Sequence, residues 1–341
     1  MATIDNLYAR FQYTTSVTNQ PIAILMHGWG GDADSFADAT LARLANLGMF
    51  VCVPGMRGRN SADGAVDASG REAYDIYDLL AKIRTEHADH VSTTKAAIIG
   101  YSGGGGNALA AACKFPDAFS VIVSHFGMSD YGYDNPDGWW YNNPGDYTAG
   151  IEAAIGDTPA NVPNAYRARN ATEAIALNYT GGHLYLFQDD EDTAVPIVHS
   201  QNVGAAMLAA GLSNYTENYT DAEDDPRWTH GYPADVADLI DAEDIWTPTV
   251  LSQEAWTVPA SGTVRVLGYI VTKRFEIWLG ATTKGAAGGG LDEVASVVYD
   301  TAANSYTVTP LTGACDVYVE QADGKTGTAE GITEATEIVV S

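Results

Sequence analysis

Lys95-Ala96-Ala97-Ile98-Ile99-Gly100-Tyr101-Ser102-Gly103-Gly104 runs from an apolar stretch into a serine set among glycines, and then into the helix-forming Asn107-Ala108-Leu109-Ala110-Ala111-Ala112. That succession reads as a strand, a tight turn and a helix. A serine at the apex of a strained strand-to-helix turn needs glycines around it, because flanking Cβ atoms would collide there. The pattern is that of a nucleophile elbow with Ser102 at its tip. Taken alone, the same residues also fit a glycine-rich turn in which the serine is a bystander, so the rest of the chain has to decide.

Three further segments bear on it. Ile22-Ala23-Ile24-Leu25-Met26 reads as a buried strand and leads into His27-Gly28-Trp29-Gly30-Gly31, a loop whose glycines let backbone N–H groups approach a developing oxyanion. His183-Leu184-Tyr185-Leu186-Phe187 reads as another buried strand and leads into Gln188-Asp189-Asp190-Glu191-Asp192-Thr193-Ala194-Val195-Pro196. After the strand-like Asn214 to Tyr219, Trp228-Thr229-His230-Gly231-Tyr232 places a histidine in a loop. The chain order is Ser102, Asp192, His230, which differs from the orders of chymotrypsin and subtilisin. Of the seven histidines, His87 and His90 read as surface residues, His27 belongs to the glycine loop, His125 ends a strand, His183 precedes one and His199 opens a helix. Only His230 combines the order, the loop setting and a following glycine.

In these residues the chain resembles the α/β-hydrolase superfamily, and within it the prolyl oligopeptidase and dienelactone hydrolase type of serine hydrolase catalytic domain, over roughly residues 20 to 240. Pro54-Gly55-Met56-Arg57-Gly58-Arg59-Asn60-Ser61 looks like that branch's R-G-x-x-x-S loop. Phe115-Pro116-Asp117-Ala118-Phe119 with Gly127-Met128-Ser129-Asp130, and Ala165-Tyr166-Arg167-Ala168-Arg169-Asn170, are similar to its later segments. The resemblance implies an α/β fold, a mainly parallel sheet flanked by helices. It also implies that Asp192, at the D-x-x-V-P position, is the acid. Asp189 stands where relatives usually carry glycine, and Asp189, Asp190 and Glu191 read as a solvated acidic turn.

The implied chemistry is acyl transfer. His230 would take the Ser102 proton during attack on a carbonyl, Asp192 would fix the imidazole tautomer, and the N–H groups of Trp29 and Gly103 would bind the oxyanion. No cofactor is required. The insert Asp137-Gly138-Trp139-Trp140-Tyr141-Asn142-Asn143-Pro144 is aromatic and turn-rich. It lies where such enzymes build an acyl pocket, so Trp139, Trp140 and Tyr141 are candidate substrate-binding residues; the same rings could instead anchor a long loop.

Composition narrows the partners. With 44 Asp and Glu against 17 Lys and Arg, the net charge of −27 disfavours nucleic acid and anionic membrane surfaces. Solubility in a saline environment accounts for such an excess. A structural cation held by Asp221 to Asp225 or by Asp130 to Asp137 is the alternative, although neither cluster has EF-hand spacing. No apolar run reaches the ~18 residues of a spanning helix, and the first residues lack the basic and apolar regions of a signal peptide, which leaves the compartment open. Cys52, Cys113 and Cys315 form an odd, scattered set, with Cys52 and Cys113 reading as core residues and no C-x-x-C pair.

Organisation changes near residue 247. Before it, strands alternate with helical stretches; after Pro248 the pattern becomes period-two, as in Arg274 to Leu279, Ser305 to Thr309 and Asp316 to Glu320. A catalytic domain over 1–246 and a small all-β, sandwich-like domain over 247–341 are expected, the glycine-rich Gly285 to Gly290 being a turn or linker. Trp256, Tyr269 and Trp278 could form a sugar-stacking face or be core. The second domain could therefore bind carbohydrate, act as a lid or mediate oligomerisation. For function the first expectation is hydrolysis of carboxylic esters through an acyl-enzyme, with acyl or acetyl groups on a carbohydrate as one option. Peptide hydrolysis of the prolyl oligopeptidase type is the alternative, and a catalytically silent binding protein the third.

Overall fold

The computed structural model describes residues 8–59, 64–142, 145–221, 230, 236–285 and 291–341. Its first part is built on a seven-stranded sheet of β1 (Ala9–Gln12), β2 (Gln20–Met26), β3 (Phe50–Pro54), β4 (Val91–Tyr101), β5 (Val121–His125), β6 (His183–Asp189) and β7 (Tyr215–Thr220), in the order β1-β3-β2-β4-β5-β6-β7. All neighbours run parallel except β1, which pairs antiparallel with β3 at the edge. Parallel strands covered on both faces need apolar side chains in both directions. That is why Ile22 to Met26 is unbroken. Ile22, Ile24 and Met26 face one core with α2 (Arg71–Glu86) and α3 (Gly103–Lys114); Ala23 and Leu25 face the other, with α1 (Asp38–Asn46) and α9 (Val236–Ser252). Between β5 and β6 lie α4 (Trp139–Asn142), α5 (Asp146–Ile155), α6 (Pro163–Arg167) and α7 (Ile175–Asn178), and α8 (Val198–Ala209) follows β6. This is the α/β-hydrolase fold. No helix of the described residues is long and apolar enough to cross a membrane.

The second part is an eight-stranded antiparallel sheet of β8 (Ser261–Leu267), β9 (Tyr269–Val271), β10 (Phe275–Leu279), β11 (Val294–Asp300), β12 (Ser305–Pro310), β13 (Cys315–Gln321), β14 (Thr326–Ile332) and β15 (Thr336–Val339). Burial alternates strictly along β13, as period-two polarity requires. The sheet curls until its edges meet: Thr326 and Ser341 exchange backbone hydrogen bonds at 3.4 and 3.2 Å. The change of architecture falls later than the expected 246/247 boundary. Helix α9 continues through Pro248 to Ser252. Trp246 and Val250, on either side of the proline, are buried against the first sheet, and that burial outweighs the hydrogen bond a helical proline forgoes.

The two sheets meet in a shared hydrophobic cluster, while the second sheet also encloses an interior of its own around Phe275, Val297 and Tyr306. Leu267, Tyr269, Val271, Trp278 and Val294 pack into the same cluster as Phe115, Leu109 and Ile175. Tyr269 and Trp278 stack at 5.0 Å and are buried against Tyr74, so neither forms an exposed sugar-stacking face; Trp256 is half-buried, edge-on to Tyr179 at 6.0 Å. Polar groups reinforce the seam. The Asn178 amide donates to Arg265 O (2.8 Å) and accepts from Arg265 N (2.9 Å), and Tyr269 Oη donates to Gly70 O (3.0 Å). Lys114, fully buried, donates to the carbonyls of Ala168 and Leu267, with its ammonium 4.7 Å from the Tyr269 ring centroid. The three cysteines are free and buried. Of the glycine-rich stretch, residues 286–290 lie outside the described residues.

Candidate active site

Strand β4 ends at Tyr101 and helix α3 begins at Gly103, so Ser102 is the whole turn. Its backbone stands at φ 56°, ψ −120°, a left-handed conformation that non-glycine residues adopt only under constraint. The constraint is local: Ser102 N donates to His125 O (3.0 Å) and Ser102 O accepts from Gly106 N (3.0 Å). The flanking glycines are required. A Cβ on Gly100 would strike Gly104 O, and one on Gly104 would strike Met26 O.

His230 Nε2 lies 3.1 Å from Ser102 Oγ, and His230 Nδ1 lies 3.0 Å from Asp192 Oδ2. A carboxylate only accepts, so Nδ1 carries the proton and the Nε2 lone pair faces the serine. The ring packs on Phe126 at 5.0 Å. Asp192 is buried, and its Oδ1 accepts from Ala194 N and Val195 N, both at 2.9 Å. Of its neighbours, Asp190 and Glu191 are exposed, as a solvated turn requires. Asp189 departs from that expectation. It is fully buried because it closes strand β6, and it accepts from Glu191 N (3.0 Å) and Thr220 Oγ1 (2.8 Å). Trp228, Thr229, Gly231 and Tyr232 lie outside the described residues.

The other histidines are held elsewhere. His125 is stacked between Tyr101 (4.5 Å) and Phe187 (4.4 Å), and burial pushes its pKa down to about 3. His27 donates from Nδ1 to Gly28 O (2.9 Å), and burial lowers its pKa too. His183 bonds Thr216, while His87 and His90 are half-buried among Phe11, Tyr13 and Phe50 rather than fully at the surface.

Trp29 and Gly103 meet beside the serine: a Cβ on Gly103 would lie 2.9 Å from Trp29 N. Neither amide donates to another group among the described residues. Next to them opens a cavity of about 310 Å³ walled by Trp29, Phe126, Met128, Trp139, Ile151 and Val195, with Tyr147 exposed at its mouth. Trp139 is buried and donates from Nε1 to Ala194 O (2.7 Å). Trp140 and Tyr141 do not line the cavity. Trp140 donates to Glu152 Oε1 (2.9 Å) with Tyr141 edge-on to it at 5.2 Å, so those two rings brace α4 on α5. The wall residues that sequence reasoning missed sit after β5 and on α5. For α5 a signal is present in the i, i+4 spacing of Tyr147 and Ile151; Phe126 and Met128 carry none.

The remaining motifs are structural. Arg57 makes a bidentate pair with Asp75 (2.7 and 2.6 Å), and Arg169 pairs with Asp67 (2.6 Å). Arg59 lies 5.4 Å from the Trp29 ring centroid; Asn60 and Ser61 fall outside the described residues. The Asp130 carboxylate is occupied by the N–H groups of Gly132, Tyr133 and Asp134 at 2.7–2.8 Å. Residues 222–225 of the other acidic cluster are outside the described residues, among which no group of three metal-ligating side chains occurs.

Residues 21–149 match the family model of the α/β hydrolase fold. Among solved structures, the chain is similar to a puromycin-hydrolyzing peptidase of Mycobacterium tuberculosis (TM-score 0.60, 18% identity, 73% of this chain and 38% of that one). It is also similar to the acylaminoacyl peptidase of Pyrococcus horikoshii (TM-score 0.57, 16% identity, 76% and 41%). A third is esterase B of Lactobacillus rhamnosis (TM-score 0.52, 14% identity, 72% and 86%). The chain spans less than half the length of those two peptidases. At these identities the likeness concerns the fold. A search of curated proteins found no match.

Proposed function

We propose that this α/β-hydrolase-fold chain is a serine hydrolase that cleaves carboxylic esters carrying an apolar acyl or aryl group, through an acyl-enzyme. The observation that carries the proposal is the relay of 3.1 and 3.0 Å from Ser102 through His230 to Asp192, set at the edge of an apolar cavity. In this reading Ser102 Oγ attacks the carbonyl while His230 Nε2 removes its proton, and the N–H groups of Trp29 and Gly103 receive the oxyanion. His230 then protonates the leaving alcohol, and water repeats the sequence to release the acid. Trp139 forms part of the acyl wall; Trp140 and Tyr141 support it from behind. The wall's apolar character favours an acyl chain over an acetyl group.

A fluorophosphonate probe should label the wild type and not Ser102→Ala, and the substitution should lower kcat on p-nitrophenyl butyrate by ~10³-fold or more. A folded Ser102→Ala protein keeping a tenth of the activity would overturn the assignment. Aminoacyl-p-nitroanilides run beside the esters discriminate the peptidase reading, to which the likeness to peptidase structures lends support: faster turnover of the anilides would replace esterase by peptidase.

A further inference from the structure

Asp192 has a neighbour that the triad reading does not use. Gln188, on β6, is fully buried and donates from Nε2 to Asp192 Oδ2 at 2.9 Å, the same oxygen that meets His230. The same Nε2 donates to Val195 O at 2.9 Å, and Gln188 Oε1 accepts from Ser200 Oγ, on α8, at 3.1 Å. Both partners of Nε2 are pure acceptors and the partner of Oε1 is a hydroxyl, so the amide has only one satisfied orientation. We propose, resting on the serine-hydrolase reading above, that Gln188 is a positioning residue: anchored by Ser200, it aims Asp192 Oδ2 at His230 and takes up part of that oxygen's negative charge.

Two consequences follow from the shared oxygen. Oδ1 is already held by two backbone amides, so Gln188 fixes the remaining rotation of the carboxylate and with it the imidazole that Oδ2 orients. By donating to Oδ2, it also takes up part of the charge that faces the imidazolium formed when His230 accepts the serine proton. Among the described residues, two further titratable groups stand close to this relay. His199, from α8, feels both Asp192 and Asp137, but burial pushes its pKa down to about 4, and its Nδ1 is engaged with Ser129 at 3.3 Å. Asp189, on the same strand as Gln188, is turned to Glu191 N and Thr220.

The test is Gln188→Met in the full chain, assayed on p-nitrophenyl butyrate, with active sites titrated by a fluorophosphonate. The expected result is a kcat lower by on the order of tenfold or more per active site. KM should stay within about twofold, and the acid limb of the kcat/KM profile should move to higher pH. A purely structural role would lower the titrated fraction and the melting temperature while leaving that limb in place, and this result overturns the proposal. If Gln188→Met does not fold, Ser200→Ala, which loosens only the anchor, should shift the limb in the same direction by less; an unmoved limb there also overturns it. A wild type that is neither labelled by the probe nor active on the ester would sink the serine-hydrolase reading itself, and is thereby distinguished from failure of the Gln188 proposal.

Discussion

Ser102 holds a backbone conformation that costs a non-glycine residue about 1–3 kcal/mol, and the surrounding glycines and two backbone hydrogen bonds keep it there. The same stretch was legible in sequence because close packing allows only glycine at Gly100 and Gly104; the elbow leaves a contiguous mark. The acid is legible through the resemblance at the D-x-x-V-P position, and the structure supplies the physical reason for that spacing: Asp192 Oδ1 caps the amides of Ala194 and Val195. Asp189 was not legible. Its burial depends on β6 extending one residue beyond Gln188 to pair with Thr220, a matter of neighbouring strands rather than local composition. These assignments predict that Asp192→Asn lowers kcat by about 10³–10⁴-fold. Asp190→Asn, at an exposed position, should stay within about twofold. Steady-state kinetics on both variants decides, and sensitivity at Asp190 would transfer the acid to another carboxylate of the turn.

At the scale of elements, the sheet was readable from unbroken apolar runs, whereas the cavity was not. Helix α5 carries Tyr147, Ile151 and Ile155 on one face, but the sequence does not say that this face covers Trp29 and Ser102, since that depends on how the insert folds back across the strand ends. Conversely the paired tryptophans, conspicuous in sequence, divide: Trp139 enters the wall and Trp140 leans on Glu152. Ile151 is a wall residue without a polar task and sits on α5, so it is a position at which to change cavity length. Ile151→Trp should lower kcat/KM for p-nitrophenyl octanoate at least about tenfold relative to the acetate, as filling a hydrophobic slot rejects extra methylenes. An unchanged octanoate-to-acetate ratio would place the acyl group elsewhere.

At the scale of the whole molecule, strand alternation announced a second sheet without revealing which of its faces finds a partner; only docking shows that Tyr269 and Trp278 belong to the shared core. Lys114 sits in that seam. Burial, with Arg169 nearby and Cys113 and Asp67 opposing, pushes its pKa down to about 7. Folding therefore releases its proton between about pH 7 and the ordinary lysine value of 10.5. In that window the unfolded chain binds more protons, so stability should rise with pH. The penalty is full below pH 7. Calorimetry from pH 7 to 9 should show a rising melting temperature in the wild type and a flatter dependence in Lys114→Met; parallel slopes would refute the linkage. A seam made of common core rather than a linker has a further consequence for heat. Parting the two sheets would expose Tyr74, Phe115 and Tyr269 together, even though the second sheet has an interior of its own, so the expected outcome is one cooperative endotherm, with the proposed activity lost in the same step as the second sheet.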